Sequence, residues 1–180
     1  PEVPRRGPLT RQDSPSLSEG PRIISDPHEG RAGSRGQEWE AWVKGAFGES
    51  PRPWQAQIAD RLLEVDAEGL WLWRAFVVSV PRQRGKSWLL TRLMAWLADQ
   101  GLLVLGASNN LARSAELLVP LEDWAVSGGG RLLRKNGQPE LRLGGPGRIV
   151  FQASTPRLGR GWSPQVAMVD EAFDVNEEPV

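Results

Sequence analysis

Three consecutive residues, Gly85, Lys86 and Ser87, could bind a phosphate. They follow an apolar run, residues 76–80, that we predict to be a strand, and they precede a predicted helix. A glycine lets the backbone approach a phosphate closely, a lysine can reach β- and γ-phosphate oxygens, and a serine hydroxyl can hold Mg²⁺. The helix dipole would face the same anion. The order strand, loop, helix therefore predicts a phosphate-binding loop, although Val80 stands where the usual first glycine would be.

Asp170 and Glu171 end a second apolar run, residues 166–169. We expect Asp170 to lie at the carboxyl end of a strand and hold the Mg²⁺ shell, and Glu171 to polarise an attacking water. Such a pair alone is more often the solvated end of a strand. The Gly-Lys-Ser loop upstream makes a nucleoside-triphosphate site the better interpretation.

Composition excludes several classes of function. The formal net charge is zero and cysteine is absent. The chain therefore has no general basic field for nucleic acid, so such a contact must come from a local patch, and it has no disulfide or thiolate chemistry. No apolar run is long enough to cross a membrane, and the N-terminus lacks a secretory apolar core.

The pattern along the chain predicts an arm followed by one domain. Residues 1–36 are rich in Pro, Gly, Ser and charge, which is typical of a disordered arm. Residues 37–180 alternate helical and apolar strand patterns, which predicts an α/β domain with a mostly parallel sheet flanked by helices. The predicted helices are 37–47, 54–65, the one after the loop and 111–126. The predicted strands are 76–80, which lies within the segment 70–80, and then 102–107, 140–143, 148–152 and 166–169. The chain has no initial Met and ends soon after Glu171, so we expect a truncated piece, incomplete at its C-terminus.

From about Trp54 to Ala172 the chain resembles the ATPase domain of the large terminase subunit of tailed bacteriophages. The order and spacing of five matching segments, rather than any single motif, carry the resemblance. The matching segments are Pro53–Gln55, Val80–Ser87, Leu105–Ser108 with the following 111–115, Gly159–Ser163 and Val169–Ala172.

This resemblance implies a P-loop NTPase that hydrolyses ATP with Mg²⁺ and drives viral double-stranded DNA into a capsid. It implies a homo-oligomeric ring, a phage portal protein and a small terminase subunit as partners, no membrane, and a location in the bacterial host cytoplasm. In the family a nuclease domain follows the ATPase, and this chain ends before it.

The resemblance also assigns roles to three further residues. Arg82, in the loop, would contact and sense the γ-phosphate, and Gln55 would read the adenine edge. Arg160, between two glycines, would reach the nucleotide of a neighbouring subunit. For each, a solvated surface side chain is the alternative, and for Arg160 so is a contact with the DNA backbone.

Two other functions stay open. A helicase-like DNA translocase shares the upstream glutamine, the Gly-Lys-Ser loop and the Asp-Glu pair, but it usually keeps the first glycine and has Ala-Asp or Ala-His after Asp-Glu, where Ala172–Phe173 stands here. The third possibility is a truncated, non-catalytic nucleotide-binding or assembly module.

Overall fold

The computed structural model describes residues 24–108, 111–135, 138–153 and 158–170. The chain divides into two compact units: one holds the described residues up to Glu40 together with Pro51–Phe76, and the other holds Ala41–Ser50 and the described residues from Val77 onward. In chain order the elements are β1 (Gly33–Ser34), α1 (Gly36–Phe47), α2 (Pro53–Leu62), β2 (Glu64–Val65), α3 (Lys86–Asp99), β3 (Leu103–Ser108), α4 (Leu111–Ser127), β4 (Arg131–Lys135), β5 (Gln138–Arg142), β6 (Arg148–Ala153) and β7 (Val166–Val169).

The first unit contains α2 and a two-stranded antiparallel ribbon. Pro53 starts α2, a position where its missing N–H costs no hydrogen bond. The predicted helix through Val65 ends earlier, at Leu62, because residues 64–65 pair with β1. The described part of the predicted arm is ordered here, since it contains β1 and the start of α1; residues 1–23 lie outside the described part. Gly36 is required at this point because a Cβ there would lie 2.6 Å from the Cα of Asp60.

The second unit is built on a five-stranded sheet with the order β4-β5-β6-β3-β7. β3 pairs in parallel with both β6 and β7, whereas β4–β5 and β5–β6 are antiparallel. The α/β class is confirmed, but the prediction of a mostly parallel sheet is wrong and the sheet is mixed. The reason is that short connections, such as residues 143–147 between β5 and β6, make hairpins, whereas parallel pairing needs a crossover segment. β4 was not predicted.

The two faces of this sheet differ. Register places Gly106 on the face packed by α3, where a Cβ on it would lie 2.6 Å from Met94 Cε and 2.5 Å from Phe151 Cε1. We call this the helix face. The other face, which carries Leu105 and Val150, also carries the turn at residues 158–161, since a Cβ on Gly159 would lie 3.9 Å from Leu105 Cδ2. We call it the loop face.

The predicted strand before the phosphate loop does not form. Residues 75–80 are assigned no strand, and the only ladder contact in residues 70–80 is an isolated bridge from Trp71 to Val65. The apolar pattern was right for a strand, but a strand also needs a partner, and among the described residues none pairs with this segment. The other predicted helices and strands are present, within a few residues of their expected ends. No helix in the described ranges is long and apolar enough to cross a bilayer.

Candidate phosphate-binding site

The loop before α3 contains two left-handed residues, a feature of some anion-binding turns. Residues 82–85 form turns, with Gln83 at φ 59° and Gly85 at φ 93°, both left-handed. Turns that include left-handed residues can point successive N–H groups into one concavity. Glycine adopts this conformation freely, whereas glutamine does so at a cost, so Gln83 is a strained position of the kind that clusters at functional sites.

The N-terminus of α3 has no side-chain cap. Gly85 is the N-cap, and the first turn of the helix contains no acidic residue. The first N–H groups of a helix have no intrahelical acceptor and attract negative charge. Lys86 and Ser87 are the first two residues of α3, so their side chains lie beside these donors.

The structure brings the two predicted motifs into contact. β7 pairs with β3, and the backbone N–H of Asp170 donates to Ala107 O at 2.8 Å, which fixes the residue at the strand's carboxyl end. Lys86 Nζ lies 2.9 Å from Asp170 Oδ1. The Asp170 side chain is 1% exposed and the Lys86 side chain 36%. Asp170 is therefore a buried carboxylate whose counter-ion comes from the phosphate loop.

This carboxylate has the properties of a cation ligand. Within the described residues neither of its oxygens accepts a hydrogen bond, so the contact with Lys86 is an ion pair without good hydrogen-bond geometry. A buried polar group without such a bond calls for an explanation, and a carboxylate oxygen is a preferred ligand of Mg²⁺. Among the described residues no three His, Cys, Asp or Glu side chains group together. Mg²⁺ commonly uses one or two carboxylates and takes its remaining ligands from phosphates and water.

Among the described residues, no ion pair or side-chain hydrogen bond joins Arg82 or Arg160 to Lys86 or Asp170. Arg82 and Arg160 are exposed, and the turn of Arg160 is held by a 2.8 Å bond from Gly159 N–H to Gln152 Oε1. Gln55 belongs to the other unit, where it is 2% exposed and its Oε1 accepts the Arg52 N–H at 2.7 Å, which caps α2. Glu171 lies outside the described residues.

Sequence reasoning missed the residue that anchors the start of α3. Glu49 accepts hydrogen bonds from Trp88 Nε1 at 2.6 Å and from Arg92 Nη2 at 2.9 Å, and Arg92 also stacks over the Phe47 ring at 4.2 Å. These bonds fix the helix within its first two turns, next to Lys86 and Ser87. No spacing rule could have indicated Glu49, because its partners lie 39 and 43 residues away in sequence.

Comparisons of this chain with protein-family profiles, with curated proteins and with solved structures found no match.

Proposed function

We propose that the second unit binds and hydrolyses a nucleoside triphosphate with Mg²⁺, using the loop at residues 81–87. The observation that carries this proposal is the 2.9 Å contact between Lys86 and the buried Asp170. It joins a left-handed turn at an uncapped helix N-terminus to a carboxylate that lacks hydrogen bonds, and a triphosphate site needs both parts.

The pair suits a site that exchanges ligands. Without nucleotide, the Lys86 ammonium compensates the charge of buried Asp170. With a triphosphate in the loop, Lys86 would contact its β- and γ-oxygens, and Asp170 and Ser87 would hold Mg²⁺. The chemistry that Mg²⁺ would supply there is charge neutralisation on the phosphates. Lys86 stabilises the charge of the transferred phosphoryl group, and Glu171 is the residue we assign to orient the attacking water.

We further propose that this hydrolysis belongs to the ATPase part of a large terminase subunit, which drives double-stranded DNA into a capsid. Support comes from the order of the motifs along the chain. In this proposal Arg82 senses the γ-phosphate, Gln55 reads adenine, and Arg160 completes the site of the next subunit in a ring. A portal protein and a small terminase subunit are the partners, and the bacterial host cytoplasm is the location.

The test combines nucleotide binding with phosphate release. A fluorescent ATP analogue is titrated with and without Mg²⁺, and ATP turnover is measured, for the unaltered protein, Lys86→Ala, Glu171→Gln and the control Lys44→Ala, which removes an exposed lysine from α1. We expect Lys86→Ala to abolish turnover and Glu171→Gln to keep binding while turnover falls by about 10²-fold or more.

The alternatives give different results. Removing a catalytic group usually lowers turnover far more than about twofold. Turnover of Lys86→Ala within about twofold of the control would therefore refute the central assignment. Tight binding with no turnover by the unaltered protein would favour the non-catalytic module. ATP-dependent separation of a labelled duplex into single strands would favour the helicase-like translocase.

A further inference from the structure

Three arginines stand side by side on the loop face of the sheet. Arg131 of β4 is directly opposite Arg142 of β5, and Arg142 is directly opposite Arg148 of β6. Residues opposite one another in a sheet share a face, and neighbouring strands lie about 5 Å apart. Arg131 is exposed, and the side chains of Arg142 and Arg148 are 41% and 40% exposed. We call these three residues the arginine row.

The arginine row is unfavourable for the isolated sheet. Like charges directly opposite each other destabilise strand pairing. Among the described residues one carboxylate offsets them: Glu140 Oε1 lies 2.7 Å from Arg142 Nε and 3.9 Å from Arg148 Nη1. One negative charge against three guanidinium groups leaves a local excess of positive charge, although the whole chain has a net charge of zero. Such a row is explained by a partner that brings negative charge.

The geometry of the row favours a phosphate backbone. A guanidinium is planar and permanently charged, and it forms paired hydrogen bonds to phosphate oxygens. Arg148 is held in place by Trp162, whose ring centroid lies 5.7 Å from the guanidinium carbon. The row lies at the amino-terminal ends of β6 and β3, since Arg148 pairs with Leu103, whereas Asp170 follows the carboxyl end of β7. Phosphate bound at the row is therefore not the nucleotide at Lys86.

We propose that the arginine row binds the phosphodiester backbone of double-stranded DNA. The choice of DNA as the polyanion rests on the proposed function, whereas the surface itself is defined by strand register and charge. Contacts of this kind position a duplex without reading its sequence.

The test measures the affinity for a fluorescent duplex of random sequence by anisotropy across a series of salt concentrations. Each phosphate contact contributes about 0.9 to the slope of log affinity against log salt concentration. Each Arg→Gln change in the row should therefore lower the slope by about 0.9 and the affinity at about 0.1 M salt by about eightfold. The triple change should lower the slope by about 2.7.

The matched control is Arg134→Gln. Arg134 is on the same strand as Arg131, but it points to the helix face, where it lies 3.6 Å from Glu122 of α4. Arg134→Gln should leave the salt slope unchanged. Arg→Lys changes in the arginine row keep the positive charge and should keep most of the slope. A slope for the triple variant equal to that of the unaltered protein, or an equal loss in Arg134→Gln, would overturn the proposal.

Two further variants protect the test from misfolding and from failure of the nucleotide proposal. Glu140→Gln removes the offsetting charge and should tighten duplex binding, a gain that misfolding cannot produce. The control Lys44→Ala should bind duplex normally, and the titrations contain no nucleotide, so the DNA surface and the nucleotide site can fail separately. Equal affinity for phosphatidylserine vesicles and for duplex, lost together in the triple variant, would show a general anion surface and refute DNA as the partner.

Discussion

Removing Lys86 should destabilise the protein through Asp170. At 2.9 Å, unit charges attract by about 6 kcal/mol at an effective dielectric constant of about 20, before the cost of burying the carboxylate. Deleting one partner of a buried pair typically costs about 3–5 kcal/mol. Lys86 is 36% exposed, so water already screens part of this interaction. For Lys86→Ala we therefore expect a loss of about 2–3 kcal/mol in the free energy of unfolding.

Removing the other partner should cost much less. Asp170→Asn leaves a neutral side chain in the buried position, and the half-exposed Lys86 can turn to solvent, so we expect about 0–1 kcal/mol. With Asn at position 170, the further change Lys86→Ala should add little. The coupling energy from the double-mutant cycle should then be about 1.5–2.5 kcal/mol.

Urea unfolding followed by tryptophan fluorescence measures all four proteins, with Lys44→Ala as the control for deleting a lysine side chain. The control should lose less than about 0.5 kcal/mol. Equal losses for the two single variants, or additive losses in the double variant, would show that Asp170 does not depend on Lys86 for its charge compensation.

Four other changes test separate parts of the structure. Glu49→Gln removes the charge partner of Arg92, so the unfolding free energy should fall by about 1–2 kcal/mol and the affinity for the ATP analogue should also fall; loss of stability alone would make Glu49 purely structural. Gln83→Gly replaces a residue that is strained in a left-handed backbone conformation by one that adopts it freely, so the melting temperature should stay the same or rise while nucleotide affinity is unchanged. A lower melting temperature would show that Gln83 is not strained. Burial alone would raise the pKa of Glu64, but hydrogen bonds from the His28 N–H, Trp73 Nε1 and Arg61 hold this pKa below its ordinary value. The ionised Glu64 therefore stabilises the fold at pH values above the unfolded pKa, and this stabilisation is lost as pH falls through the lower folded pKa. Glu64→Gln should accordingly flatten the loss of stability below about pH 4.5, and an unchanged slope would exclude Glu64 as its source. Gln55→Ala should lower the ratio of ATP affinity to GTP affinity, measured by competition with the fluorescent analogue. An unchanged ratio would leave Gln55 only its role as the cap of α2.

The parts of the fold that depend on local pattern were predictable, and the parts that depend on partners were not. The run at residues 102–107 is apolar on both faces and forms a central strand, β3, as expected. Residues 76–80 have a similar pattern, yet they form no strand because pairing is a property of two segments. β4 was missed because its sequence, Arg-Leu-Leu-Arg-Lys, puts one leucine on each face of the strand and so gives no clear apolar face.

The candidate site divides in the same way. The motif pattern predicts Lys86 and Asp170 at one nucleotide site, and the two residues do lie 2.9 Å apart, but the pattern does not predict an ion pair between them. Glu49 and the arginine row could not be predicted, since each depends on residues that approach only through the tertiary fold. Strand register decides whether Arg131, Arg142 and Arg148 share one face of the sheet. A shift of one residue in the pairing would move one of the arginines to the other face.

If both proposals hold, one short segment connects the two ligands. Trp162 contacts Arg148 of the arginine row, and the chain then runs through β7 directly to Asp170. β7 is held to β3 along its length, so residues 166–169 are tied to the sheet. Coupling between two binding sites is reciprocal, so DNA that favours one position of this segment must change nucleotide affinity by the same factor as nucleotide changes DNA affinity. In the proposed motor, the segment from Trp162 to Asp170 would be a covalent link of this kind.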